Sequence, residues 1–430
     1  MSSGAIIGFS CIALLILLFL KVPVYGAILG STIIYFVLQT DVTIYLIIQR
    51  MIAGIESIPL LAVPFFIAAG VFMNYTGVTK RIMDFCTVLT CKLPGGLAQV
   101  NVLLSTMMGG LSGSSLADAA MEAKMLEPEM ERHGYSKPFS SAVTAFSSII
   151  TPLIPPGIAA ILYGSIANLS IGKLFIAGIG PGLLLCTSMM LLCGIISKKR
   201  GYQAYGQARM DKKELGTKFR HAILPLCLPV IIIGGIRLGI CTPTEAGSIA
   251  VVYSIILGVL YRELGWGELK KGLKESVLTT ASVLIIVSAA SAFSWILTRE
   301  QIPQKLTALM TTYIGGKYAF LVIVNVFLLF VGMFIEGNAA LIVLVPLLHP
   351  MAVAFGVDPI QFALIFNFNM AIGAVTPPMG TLMFTVCGIT KCKMKDFIIA
   401  GLPFYALALG CLALLTFVPV FTLGIVNLVF

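Results

Sequence analysis

Charge is scarce in this sequence: 11% of its 430 residues are Asp, Glu, Lys or Arg, where a soluble domain carries about 25%. Too few polar groups remain to cover a water-facing surface, which excludes an ordinary globular protein. Histidine is nearly missing too, with three in the chain. No Cys-x-x-Cys pair occurs among the ten cysteines. The closest pairs, Cys86 with Cys91 and Cys387 with Cys392, have no histidines beside them at a metal spacing, so cysteine serves as small apolar filler. There is no G-x-x-x-x-G-K-[ST] phosphate loop and no soluble stretch for a nucleotide domain, which argues against a primary pump. The basic and aromatic pattern of a nucleic-acid binder is absent as well, despite a formal charge of +10.

Hydrophobicity is abundant instead, at 58% of residues. Segments 5–20, 222–240, 320–335 and 402–428 approach or exceed the ~20 residues needed to cross a ~30 Å hydrocarbon core. Such runs recur from end to end, which predicts an all-α polytopic membrane protein. The first, Ala5 to Leu20, lacks a basic start and a small-residue cleavage site, so it reads as a span rather than a signal peptide. Lys198-Lys199-Arg200, followed by Arg209, Lys212, Lys213, Lys218 and Arg220, marks 198–220 as a cytoplasmic linker, because Lys and Arg collect in cytoplasmic loops.

On either side of that linker one design is repeated at an offset of about 220 residues. Pro23 in KVPVYGAILG corresponds to Pro243 in CTPTEAGSIA, and Gly113 in GGLSGSSLAD to Gly337 in FIEGNAALIV. Thr151-Pro152-Leu153-Ile154-Pro155-Pro156-Gly157 corresponds to Thr376-Pro377-Pro378-Met379-Gly380. Each cluster follows a helix-start signal about 18 residues upstream, Ser136-Lys137-Pro138 or Asp358-Pro359, a polar cap with Pro in the first turn. The first repeat is 1–197, with a re-entrant hairpin at 96–132 interrupted at Gly109, Gly110 and Gly113, and a broken helix at 136–168. The second is 221–430, with a hairpin at 318–356 and a broken helix at 358–390. About five spans in each half, an odd number, make the second half inverted relative to the first. Helices lying in the interface, such as 264–275, would alter the count. On this count Lys391, Lys393 and Lys395 fall outside, against the usual charge bias.

Inverted repeats with discontinuous helices belong to secondary transporters. Pro155-Pro156-Gly157 and Pro377-Pro378 remove amide donors and forbid the preceding helical bonds. In lipid each unmet backbone group costs several kcal/mol, so such breaks persist where the freed groups face a binding site. Carbonyl oxygens suit a dehydrated Na⁺, and half-helix N-termini suit a carboxylate.

The same residues resemble the large membrane subunit of tripartite ATP-independent periplasmic (TRAP) transporters. The likeness runs through KVPVYGAILG, IPLLAVPFFIAAGVFMNYTGVTKRI, GGLSGSSLADAA, ITPLIPPG, CTPTEAGSIAVVYSIILG and DPIQFALIFNFNMAIGAVTPPMG, and covers nearly the whole chain. Lys21 departs from it, standing where glycine is common. The resemblance implies an elevator-type carrier in the bacterial inner membrane that takes up an organic acid, such as a C4-dicarboxylate or sialic acid, on a Na⁺ gradient. It also implies two partners, a periplasmic substrate-binding protein and a small four-helix membrane subunit, the latter expected from another gene. No other cofactor is expected.

Carried onto this chain, the first Na⁺ site joins Ser112, Gly113, Ser114 and Ser115 to the break at Thr151, Pro152, Pro155 and Gly157, with Asp118 one turn on. Asp118 reads equally well as a helix-start carboxylate favoured by the dipole. The second site joins Gly337 and Asn338 to Thr376, Pro377 and Gly380. Substrate would lie between the tips, near Glu336, Ser147, Ser148, Asn367 and Asn369, although Glu336 at a hairpin tip would also simply reach water. Two alternatives stand beside this reading. One is a Na⁺/organic-anion carrier of related fold that needs no binding protein. The other is an intramembrane serine protease, because Gly110-Leu111-Ser112-Gly113 matches a G-x-S-G serine motif. A protease needs a histidine base, and of His133, His221 and His349 only the last lies in an apolar run.

Overall fold

The computed structural model describes residues 3–20, 22–39, 41–204 and 212–430. Lys21 and Arg209 lie outside the described residues, as does the stretch 205–211 of the linker. Among the described residues every regular element is a helix. Seven helices among the described residues are long and apolar enough to cross a membrane, and the pair Ile302–Tyr313 and Lys317–Gly332, bent by 118°, makes an eighth candidate.

Local chemistry sets where these helices begin and end. Asp358 caps Pro359–Val375, its carboxylate accepting from the amides of Ile360 at 2.8 Å and Gln361 at 3.1 Å. Thr242 opens Pro243–Leu260 with a capping box, in which Glu245 Oε2 accepts from the Thr242 amide at 2.7 Å. Ser136 precedes Lys137–Ser147 without a side-chain cap. Its hydroxyl instead accepts from Tyr202 at 3.2 Å and Arg200 at 3.4 Å, tying that helix start to the end of Ile171–Arg200.

Two expectations change. The stretch 264–275 is no separate interfacial helix: Trp266–Arg299 is one helix of 34 residues, without a proline to break it. At ~1.5 Å per residue such a helix outreaches the hydrocarbon core, and its Lys-rich start is the part left over. The run 402–428 is two helices, Met394–Phe417 and Val420–Val429, parted at Pro419, since proline cannot continue the first. The run 320–335 falls largely on Lys317–Gly332, within the stretch 318–356 expected to be a hairpin, and that helix is bent by 118° from Ile302–Tyr313 before it.

Ala62–Tyr75 packs along Pro243–Leu260, and Tyr45–Ile55 along Trp266–Arg299, so the early helices of the two halves interleave. Around this framework sit the hairpins and the broken helices. In the first half the arms are Gly96–Ser112 and Ser115–Met125, followed by the interrupted pair Lys137–Ser147 and Ile158–Ala167. In the second half the arms are Lys317–Gly332 and Gly337–Ala354, followed by Pro359–Val375 and Thr381–Thr390. The elements exchange partners across the halves. Ser115–Met125 packs on Thr381–Thr390, and Gly337–Ala354 packs on Ile158–Ala167.

Candidate functional site

The first tip turns at Gly113, whose φ of 61° is left-handed and natural to glycine. A Cβ there would stand 2.6 Å from the carbonyl oxygen of Pro156, so tip and break touch backbone to backbone. The next residue, Ser114, caps the returning arm, its Oγ accepting from the Ala117 amide at 3.4 Å. Behind the turn lies a cluster of fully or nearly fully buried polar groups. Ser112 Oγ donates to the Asp118 carboxylate at 2.7 Å, and Thr151 Oγ1 donates to it at 3.0 Å. Asp118, with no exposed surface, therefore bridges the tip to the break. It does not cap the helix; Ser114 does. One turn further along, Glu122 is equally buried and accepts from Ser105 Oγ at 2.7 Å, a residue that sequence reasoning passed over. Its only signal was an acid four residues from Asp118 in an apolar neighbourhood.

In the second half the tip is capped by Glu336, whose carboxylate accepts from the Ala339 amide at 3.0 Å while the side chain stays exposed. The helices meet one turn before the tip. A Cβ on Gly373 would fall 2.5 Å from the Cα of Gly332. Thr376 Oγ1 donates back to Ile372 O at 2.7 Å, within its own helix, and a Cβ on Gly380 would lie 2.8 Å from the Thr376 carbonyl oxygen.

A matched pair of polar ties joins each hairpin to its broken helix. Ser147 Oγ donates to Asn101 Oδ1 at 2.8 Å. Asn369 Nδ2 donates to Asn325 Oδ1 at 2.7 Å. Ser148 Oγ donates to the Thr144 carbonyl at 2.7 Å. Ser147, Ser148 and Asn369 are thus buried between helices rather than on a cavity wall. Asn101 and Asn325 are further residues that sequence reasoning missed, because an asparagine inside an arm shows its role only once the partner helix is beside it.

Both tips and both breaks converge on a single cavity of about 100 Å³. Gly113, Ser114 and Ser115 line it from one tip, and Glu336, Gly337 and Asn338 from the other. Pro152 and Asn367 reach it from the broken helices. The helices beginning at Ser115, Ile158, Gly337 and Thr381 all start at this wall. Four helix N-termini, each with partial positive charge, therefore border one space, two of them capped by Ser114 and Glu336.

The whole pattern, from one end of the chain to the other, is that of a known group. Residues 11–421 match the family model described as the tripartite ATP-independent periplasmic transporter, DctM component. The chain belongs to the DctM family of TRAP transporters. It is a large permease subunit, an integral protein of the inner membrane and a component of a tripartite system. It is 39% identical to the sialic acid TRAP transporter large permease protein SiaM of Vibrio cholerae, over 94% of this chain and 92% of that protein. It is 36% identical to the C4-dicarboxylate TRAP transporter large permease protein DctM of Pseudomonas aeruginosa, over 86% and 87%. Its fold is similar to that of the YdaH transporter of Alcanivorax borkumensis, with a TM-score of 0.59 at 14% identity, covering 86% of this chain and 87% of that one. The relatives are permeases, not enzymes, which disposes of the protease reading. The partners of Ser112 Oγ agree with that outcome: they are Asp118 and the Ser114 amide, while His349 Nδ1 lies 2.9 Å from the Tyr163 hydroxyl.

Proposed function

We propose that this permease imports an organic carboxylate on a Na⁺ gradient, with a small four-helix membrane subunit and a periplasmic binding protein that delivers the cargo. The observation that carries this reading is the convergence of four helix N-termini on one cavity between the two tips. Amide donors and partial positive charge at that wall favour a carboxylate without burying a lysine or arginine there. Two relatives are named for sialic acid and for C4-dicarboxylates, in keeping with a carboxylate cargo.

Na⁺ occupies two sites in this reading. Ser112, Gly113, Ser114 and Ser115 with Thr151, Pro152, Pro155 and Gly157 supply the first. Asp118 takes the hydrogens of the Ser112 and Thr151 hydroxyls, which turns their oxygen lone pairs toward a cation and adds negative charge behind them. Gly337 and Asn338 with Thr376, Pro377 and Gly380 supply the second. The two halves are inverted copies. Both hairpins and both broken helices move as one body against the remaining helices, and the exchange of packing partners between halves supports a single moving unit.

Uptake into proteoliposomes holding the permease, the small subunit and the binding protein tests this. Uptake requires an inward Na⁺ gradient and collapses when the binding protein is omitted. Ser114→Ala and Asn338→Ala each raise the half-saturating Na⁺ concentration about threefold to tenfold, the loss of about 0.7–1.4 kcal/mol of cation binding. An unchanged Na⁺ dependence in both variants would sink the site assignment, and full uptake without the binding protein would favour the carrier that needs none.

A further inference from the structure

Two arginines far apart in the chain share one tryptophan. The guanidinium carbon of Arg50, on Tyr45–Ile55, lies 5.5 Å from the centre of the Trp295 ring. That of Arg299, about one turn past Trp295 on Trp266–Arg299, lies 5.5 Å from the same ring. Phe36 stacks on the indole with ring centroids 5.8 Å apart. The two charges are therefore at most twice 5.5 Å from each other. Neither arginine makes an ion pair among the described residues. Glu300, the acid next to Arg299, is buried and accepts from the Tyr35 hydroxyl at 2.5 Å. Two cations are thus gathered on one ring with no carboxylate paired to either.

The cluster stands at the depth of lipid headgroups. From Lys274 to Trp295 the helix rises about 31 Å at ~1.5 Å per residue, one hydrocarbon thickness. Val277, Leu278 and Ile285 between them are exposed, as lipid-facing residues are. The lysines therefore mark one interface, and Trp295 with Arg299 marks the other, where tryptophan collects. Tyr45–Ile55, at 11 residues, is too short to cross. It exposes Tyr45, Ile48, Ile52 and Ile55, at positions i, i+3, i+7 and i+10 of one helix face. Arg50 lies on the flank that packs against Trp266–Arg299. An apolar stripe beside an unpaired cation is the pattern of a helix lying at an anionic membrane surface.

We propose that Arg50 and Arg299 clamp the phosphate of an anionic phospholipid whose acyl chains run along Ile48 and Ile52. Each guanidinium donates to its own phosphate oxygen, so the lipid ties Tyr45–Ile55 to the end of Trp266–Arg299. Both helices belong to the framework, and the site is separate from the cavity and its cargo. A zwitterionic lipid fits poorly. Its cationic headgroup would come beside two guanidiniums with no free carboxylate to receive it. The Trp295 ring that would otherwise attract a cation is already occupied by Phe36 and the arginines. Phosphatidylglycerol, uncharged beyond its phosphate, brings only the charge that the pair lacks. An acidic protein surface would answer the arginines but not the apolar stripe; a lipid answers both.

Trp266→Phe leaves Trp295 as the sole tryptophan of the two in the chain, and lipid brominated in its acyl chains quenches that fluorescence on contact. The full chain with this change is reconstituted in phosphatidylcholine bilayers containing rising fractions of brominated phosphatidylglycerol or brominated phosphatidylcholine. Phosphatidylglycerol should bind beside Trp295 at least about fivefold more strongly. With Arg50→Gln and Arg299→Gln added, the two lipids should agree within about twofold. Lys391→Gln with Lys393→Gln, which removes as much charge elsewhere, should keep the preference. If the double arginine variant does not assemble, either single substitution should lower the preference at least about twofold. Equal quenching by the two lipids with both arginines present overturns the proposal, and that comparison needs no arginine variant. A preference that survives without the arginines overturns it as well. Relief of quenching by excess soluble glycerol phosphate would show a phosphate site with no need of the lipid. Loss of uptake in the arginine variants, with no lipid preference in their presence, would assign the pair to a protein partner instead.

Discussion

Gly113 and Gly134 share a left-handed backbone, with φ of 61° and 81°, but not a setting. A Cβ on Gly134 meets nothing within 4 Å, whereas one on Gly113 stands 2.6 Å from the Pro156 carbonyl oxygen. Gly134→Ala therefore costs only the left-handed penalty of about 1–2 kcal/mol. Gly113→Ala adds the displacement of the tip from the break. Uptake is expected to fall at least tenfold in Gly113→Ala and to stay within about twofold in Gly134→Ala, measured at matched amounts of protein in the membrane. At this scale much was legible beforehand. Gly113, Ser114, Gly337 and Asn338 stand out in the sequence as small or polar residues interrupting apolar runs, and all of them lie on the cavity wall. Ser147 and Asn369 look the same in sequence, yet they spend their side chains on Asn101 and Asn325. A polar residue inside a span must have a partner, but the sequence does not say whether that partner is cargo or a neighbouring helix.

Among the elements, Lys317–Gly332 and Pro359–Val375 approach closely where Gly332 and Gly373 let two backbones meet. Small residues at such crossings allow helices in lipid to pack by close contact, there being little hydrophobic gain to drive them together. A side chain at position 373 forces the pair apart. Gly373→Val should lower stability by about 1–3 kcal/mol, seen as a drop in the temperature of half-inactivation in detergent. The second hairpin should also become more open to protease in that variant. Gly356→Ala, at a positive φ but with nothing within 4 Å, is the matched control and should shift far less. The ends of these helices were legible to within a few residues because they are local chemistry: Gly at a turn, Pro in a first turn, Asp358 as a cap. The continuity of Trp266–Arg299 was not. A Lys-rich amphipathic start looks like an interfacial helix when taken alone, and only its unbroken hydrogen bonding into the span identifies it as that span's extension.

For the molecule as a whole, the elevator reading makes a mechanical claim. Gly110 lies on the first hairpin, and Pro229 on Lys212–Arg237, a helix of the fixed part in this reading. A Cβ on Gly110 falls 3.3 Å from the Cβ of Pro229, close to the ~3.5–4.5 Å of a disulfide. With the ten native cysteines replaced, the pair Gly110→Cys and Pro229→Cys should cross-link on mild oxidation. Uptake should then stop, and it should return on reduction. Full uptake in the cross-linked protein would show that this hairpin does not travel relative to that helix.

The proline breaks mark both ends of this account. The sequence by itself determined that the chain spans a membrane many times and where prolines interrupt its helices. Those are consequences of composition and of short-range backbone chemistry: too little charge to face water, and prolines that cannot donate. Only the tertiary structure decided how the interrupted pieces face one another. It set the returning arm of each hairpin on the broken helix of the other half, placed Asp118 between tip and break, and put Asn367 at the cavity wall while Asn369 bonded to Asn325. The reason is physical. In lipid the backbone settles its own hydrogen bonds within each helix, so helices form from local sequence. Their mutual placement is set by which small residues permit contact and which buried polar groups find one another, and those pairings join positions far apart in the chain.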